Sequence, residues 1–187
     1  MLTAFLVSVA AIAVGEIGDK TQLLALMLAL RFRQPWPIVC GILCATLANH
    51  ALAALVGTWL RHAVDPAVLR FAVALAFFAV AAWALKPDQL EAQVQSTTRL
   101  GVFAVTLVAF FLAEMGDKTQ IATALLAARY DALAAVIAGT TLGMLIADVP
   151  VVFAGTLAAD RIPFAALRKV AAAIFVALGI WVLWAGI

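Results

Sequence analysis

The sequence predicts an all-α integral membrane protein with six transmembrane helices arranged as two inverted three-helix repeats. Three observations carry that expectation: the composition, the spacing of the polar breaks, and a self-match at one fixed offset. Of the 187 residues, 67% are hydrophobic and 12% charged, and the mean hydropathy is +1.14, outside the balance of soluble domains. The net charge is only +2, and Lys and Arg, apart from Lys20 and Lys118, lie towards the ends of apolar runs without forming a patch. That distribution offers no patch for nucleic acid and makes the bilayer the expected partner.

Apolar runs of about 20 residues can cross a hydrocarbon layer ~30 Å thick. Six are read, at 2–30, 37–60, 67–85, 100–128, 132–157 and 164–186, separated by breaks at Arg31 to Pro37, Arg61 to Pro66, Lys86 to Arg99, Arg129 to Asp131 and Asp160 to Pro163. The first run lacks a basic region ahead of it and continues to Leu30, unlike a cleaved signal peptide, so Met1 onward is expected to remain as a span. Only the third break is long and polar. It divides the chain into a first repeat at 1–86, a cytoplasmic linker at 87–99 and a second repeat at 100–187.

Sliding the chain against itself by 98 residues matches Arg31 with Arg129, Gly41 with Gly139, Gly57 with Gly155, Thr58 with Thr156, Phe77 with Phe175 and Trp83 with Trp181. This is a duplication of a three-span unit rather than a short-period repeat. Three spans is an odd number, so the second unit must enter the membrane upside down. Arg31, Arg33, Lys86, Arg99, Arg161, Arg168 and Lys169 lie on one side, against Arg61, Arg70 and Arg129 on the other. The basic excess places the linker in the cytoplasm and both termini outside it.

The offset also brings together two copies of one stretch, Glu16-Ile17-Gly18-Asp19-Lys20-Thr21-Gln22 and Glu114-Met115-Gly116-Asp117-Lys118-Thr119-Gln120. Each lies about halfway along the first span of its repeat, where an ionised residue costs roughly 2.5–3.5 kcal/mol on insertion scales. On a continuous helix Glu16, Asp19 and Lys20 share an arc of about 100°, as do Glu114, Asp117 and Lys118. Gly15, Gly18 and Gly116 would permit either a break in the helix or the close approach of a neighbour. Inverted repeats with polar residues mid-span mark secondary transporters, whose site lies at the midplane between repeats. Four carboxylates and two ammoniums gathered there sum to minus two. One divalent cation or two protons would neutralise that charge, and the two solutions exclude one another.

The motif donors are the oxygens of Glu16, Asp19, Thr21, Gln22, Glu114, Asp117, Thr119 and Gln120, with neither Cys nor His among them. Such sites suit Ca2+, Mn2+ or Mg2+, and Mg2+ dehydrates reluctantly; Ca2+ and Mn2+ stay unseparated. The paired Glu-x-Gly-Asp-Lys-Thr motifs closely resemble those of the calcium/manganese cation antiporter family, whose relatives occupy bacterial inner membranes and the Golgi and chloroplast membranes. The resemblance covers both repeats. It implies divalent-cation transport against protons, manganese export in bacteria, and residence in the inner membrane as a multi-pass protein. The family's acidic residues carry over as Glu16, Asp19, Glu114 and Asp117, and its Lys-Thr pairs as Lys20 with Thr21 and Lys118 with Thr119.

Lys20 and Lys118 are expected either to hold the acids in place or to move protons. Asn49 and Asp148, at places within the apolar second span of each repeat, are candidates for proton coupling or a supporting shell. His50 aligns with Asp148 by the same offset and is read as a proton relay or a satisfied buried histidine. Cys40 and Cys44 are expected to be small buried hydrophobes. No Ser-His or HExxH constellation is present, so no enzyme is expected and no cofactor beyond the transported ion. The alternative cargo is a small organic cation such as a basic amino acid, and association into a homo-oligomer is left open.

Overall fold

The computed structural model describes residues 1–86, 101–154 and 164–185. The linker expected at 87–99 and the break expected at Asp160 to Pro163 lie outside the described residues. Among those described, every regular element is a helix: α1 (Leu2–Glu16), α2 (Lys20–Phe32), α3 (Pro35–Ala63), α4 (Pro66–Ala84), α5 (Val102–Glu114), α6 (Lys118–Arg129), α7 (Leu133–Ala154) and α8 (Phe164–Ala185). The chain is a helical membrane protein. α3, α4 and α7 are each long and apolar enough to cross a membrane, and α1 with α2 qualifies as one span bent by 70°. The runs at 2–30 and 100–128, where the sequence left open whether the helix breaks, are each two helices, for a reason that lies in the motifs.

Local chemistry sets the helix ends. Pro35 and Pro66 occupy the first turns of α3 and α4, where a missing N–H costs nothing. The Asp65 side chain accepts from the N–H groups of Ala67 and Val68 at 2.9 and 3.4 Å, capping α4. Arg33 closes α2 in the left-handed region, at φ 54°. Arg61, near the end of α3, donates to the carbonyls of Ala128 and Arg129 and so satisfies the last turn of α6.

Packing runs mainly between the N-terminal four helices and the C-terminal four. α1 lies against α7, α5 and α6 lie against α3, and α4 lies against α8. The close approaches repeat at the 98-residue offset. A Cβ on Gly139 would stand 2.6 Å from the Phe5 carbonyl and 2.8 Å from Ser8, and one on Gly41 would stand 2.9 Å from the Phe103 carbonyl and 2.7 Å from Thr106. Only a hydrogen fits at either place, so the backbones touch there. Phe77 and Phe175, separated by the same offset, stack with ring centroids 6.4 Å apart, both wholly buried where α4 meets α8. The duplicated sequence thus makes duplicated contacts, and each motif helix leans on the other unit.

The outer face is apolar. Leu43, Leu47, Leu55, Phe71, Leu75, Ile146, Phe153 and Ile180 are exposed, a surface suited to lipid rather than water. Cys40 and Cys44 lie on it, which corrects their expected burial. The buried stripe of α3 is Ile38, Gly41, Ile42, Ala45, Asn49 and His50. Positions 40 and 44 fall on the opposite side of that helix, and in a membrane protein an apolar residue has no need of the core.

Candidate metal centre

Both motifs break their helix the same way. α1 stops at Glu16 and α2 starts at Lys20; between them Ile17 and Asp19 are extended and Gly18 takes φ +85°. α5 stops at Glu114 and α6 starts at Lys118, with Met115 and Asp117 extended and Gly116 at φ +76°. Positive φ is the region glycine enters without steric cost. In each copy the Asp N–H donates to the Glu carbonyl at 3.0 Å, closing the turn. The expectation that Glu, Asp and Lys share one face of a continuous helix is therefore corrected. They converge because the chain turns, which sets Glu at the end of one helix and Asp at the N-cap of the next.

The N-cap placement has an electrostatic consequence. Asp19 and Asp117 make no side-chain cap bond to their own helices, so their carboxylates are directed elsewhere. The N-termini of α2 and α6 carry partial positive charge beside them, a setting that favours anionic side chains.

Carboxylate oxygens of Glu16, Asp19 and Asp117 all lie within 4.8 Å of one another, and all three residues are buried. The lysines cross between motifs. Lys20 Nζ stands 3.1 Å from Asp117 Oδ1, and Lys118 Nζ pairs with Asp19 Oδ1. Their settings differ: the Lys20 side chain is 25% exposed, that of Lys118 only 3%. The Thr21 hydroxyl donates to Glu16, and the Thr119 hydroxyl donates to Glu114 Oε2 at 3.0 Å. Glu114 is buried but stands outside the close triad, with its Oε2 3.9 Å from His50 Nε2.

The glutamines hold the turns. Gln22 Oε1 accepts from the Gly18 N–H, and Gln120 Oε1 accepts from the Gly116 N–H. Asn49 donates to the Phe111 carbonyl at 3.0 Å, tying α3 to α5. Asp148 is wholly buried on α7, near enough to Glu16 and Glu114 for charge repulsion, and neither of its carboxylate oxygens has a hydrogen-bond partner. Sequence reasoning missed one participant, the backbone carbonyl of Ala147, which accepts from Gln22 Nε2 at 2.9 Å. An alanine gives no chemical signal; only its alignment with Asn49 at the 98-residue offset marked the position.

Four motif carboxylates face two ammoniums in a water-poor setting, and burial makes an uncompensated charge expensive. Glu16 Oε2 and Glu114 Oε1 are buried without a hydrogen-bond donor. The arrangement thus has capacity for added positive charge, and the donors are hard oxygens suited to a hard divalent cation.

Comparison with known proteins agrees with that chemistry. The family model described as "Divalent cation/proton antiporter GDT1" matches residues 4–92 and 102–187. The chain belongs to the GDT1 family of divalent cation/proton antiporters. Among GDT1 relatives and similar proteins, it is 48% identical over 181 residues to the "Putative manganese exporter" of Vibrio cholerae serotype O1, covering 96% of this chain and 90% of that protein. It is 32% identical over 182 residues to a GDT1-like protein of Synechocystis, covering 87% of each, and 30% identical over 188 residues to GDT1-like protein 4 of Oryza sativa subsp. indica, covering 87% of this chain and 66% of that one. No solved structure matches. As a GDT1 antiporter the protein is a transporter and not an enzyme, and its substrates are a divalent cation and protons.

Proposed function

We propose that this GDT1 antiporter exports Mn2+, with Ca2+ as a second candidate cargo, from the cytoplasm in exchange for protons. The observation that carries the reading is the buried triad of Glu16, Asp19 and Asp117, contributed by both motifs and with its oxygens within 4.8 Å of one another. Oxygens so close suit a bare ion better than an extended organic cation. Manganese as the cargo is favoured by the name of the Vibrio cholerae relative.

In this reading Glu16, Asp19 and Asp117 ligate the ion, and Glu114 is the fourth acid of the site, held by Thr119 as Glu16 is held by Thr21. Lys20 and Lys118 are tethered counter-ions that occupy the aspartates while the metal is away. Asn49 and Asp148 form the supporting shell. Six spans in two inverted repeats, 1–86 and 100–187 about a cytoplasmic linker at 87–99, are the topology we infer; the contacts repeated at the 98-residue offset support it. The site then lies near the midplane of a bacterial inner membrane, with both termini outside the cytoplasm.

Exchange follows from competition. Protons and metal seek the same oxygens, so acidification raises the metal concentration needed for half-maximal flux, and alkalinisation lowers it. The test is Mn2+ flux in proteoliposomes with the internal pH recorded. Mn2+ movement in one direction is expected to drive proton movement in the other, with half-saturation shifting upward as pH falls. Mn2+ flux with no accompanying proton movement would contradict the proposal.

A further inference from the structure

Gln22 and Gln120 form the same bracket twice. Gln22 Oε1 accepts from the Gly18 N–H at 2.8 Å, and Gln120 Oε1 accepts from the Gly116 N–H at 2.6 Å. Among the described residues those are the two glycines at positive φ, and their N–H groups stand where the helix is interrupted. The other end of each amide leaves its own motif. Gln22 Nε2 donates to the Ala147 carbonyl on α7 at 2.9 Å, and Gln120 Nε2 donates to Asn49 Oδ1 on α3 at 3.5 Å. Positions 49 and 147 are related by the offset that relates the motifs, so both glutamines reach the same register position on the other unit's long helix, α7 or α3. Asn49 then continues to the Phe111 carbonyl, so one chain of bonds joins α6, α3 and α5 across the second break.

A glutamine has one acceptor oxygen and two donor hydrogens on a planar amide. Here the oxygen is committed to a backbone N–H, and the nitrogen fixes the direction of that oxygen against the opposite helix. Asp19 follows Gly18 and Asp117 follows Gly116 immediately, so a rotation of the glycine turn moves a carboxylate of the triad. Sites of this kind need their groups held to within roughly 0.5 Å.

We propose that Gln22 and Gln120 are positioning residues rather than ligands: each fastens its motif's glycine turn to a long helix of the other unit, α7 for Gln22 and α3 for Gln120, and so sets the carboxylate spacing on which cation affinity and Mn2+ over Ca2+ preference depend. The proposal rests on the ion site described under Proposed function.

The test uses the full chain in nanodiscs and proteoliposomes, with Gln22→Met, Gln120→Met, Asn49→Leu and the double variant Gln120→Met/Asn49→Leu. Hydrogen exchange without metal is followed in peptides spanning residues 15–22 and 113–120, alongside KM for Mn2+ and the ratio of Mn2+ to Ca2+ flux. Each Met variant is expected to speed exchange in its own motif, to raise KM about tenfold, as loss of groups behind metal ligands does, and to change the flux ratio. The double variant is expected to match Gln120→Met alone, because both substitutions cut one chain of bonds. A raised KM with unchanged exchange, or multiplying effects in the double variant, would make the glutamines direct ligands and overturn the proposal; unchanged exchange and KM would overturn it as well. If a Met variant fails to fold, Gln22→Asn and Gln120→Asn, with the same amide on a shorter arm, replace it under the same criteria. Absence of proton-coupled Mn2+ flux in the unsubstituted protein would sink the proposed function instead, leaving the exchange rates to decide this one.

Discussion

The first and second motifs have almost the same sequence and the same broken backbone, yet their surroundings differ. Glu16 belongs to the close triad, whereas its counterpart Glu114 stands outside it beside His50. Lys20 is a quarter exposed and Lys118 is sealed in. The difference originates outside the motifs, in the helices that cover them. α3 presents Asn49 and His50 to the second motif, and α7 presents Ala147 and Asp148 at the equivalent positions near the first. A short motif can specify a turn, but its partner helix decides what each copy does.

Substitutions should break that comparison unequally. The largest effect is expected from the triad: Asp19→Asn or Asp117→Asn should lower Mn2+ flux in proteoliposomes by at least about 100-fold, because removing a charged ligand costs several kcal/mol of ion binding. Glu114→Gln, outside the triad, should cost clearly less; equal losses at all four acids would erase the distinction between the motifs. Next come the lysines, read by chemical denaturation in detergent. Lys118→Met strips a buried partner from Asp19 and should cost about 3 kcal/mol, within the range for breaking a buried pair. Lys20→Met, at a side chain a quarter exposed, should cost about 1 kcal/mol or less, and the reverse order would contradict the burial seen here.

Smaller effects sharpen the account of the breaks themselves. A Cβ at Gly116 meets no atom within 4 Å, so Gly116→Ala should cost only the left-handed backbone strain, about 1–2 kcal/mol. Gly57→Ala is the contrast: its Cβ would lie 1.9 Å from the Ala124 carbonyl, and α3 would have to move off α6. Thermal unfolding should show the larger loss at Gly57. Smallest of all, Cys44→Ala on the lipid-facing side of α3 should change stability by less than about 0.5 kcal/mol, whereas a core cysteine would cost more.

Much of the site was legible because its chemistry is local and doubled. The four acids, the lysines and the Asn49 and Asp148 positions all follow from charge placed in apolar runs and from one offset. The breaks were not legible, because Glu16, Asp19 and Lys20 sit at spacings that a straight helix also accommodates, and Gly18 is compatible with packing or with turning. The crossed lysines escaped for a different reason. A lysine beside an aspartate in sequence implies a local pair, and only the packing of α1 on α7 and of α5 on α3 brings Lys20 to Asp117. Cys40 and Cys44 were misplaced because hydropathy cannot separate a core face from a lipid face.

The most direct measurement is equilibrium binding of Mn2+ to the purified chain, counting ions in the parent protein, in Asp19→Asn, in Asp117→Asn and in the double variant. One ion per chain is predicted, lost in either single variant and no further weakened in the double, because both motifs serve a single ion. Two ions per chain, each lost only with its own motif, would contradict a shared site.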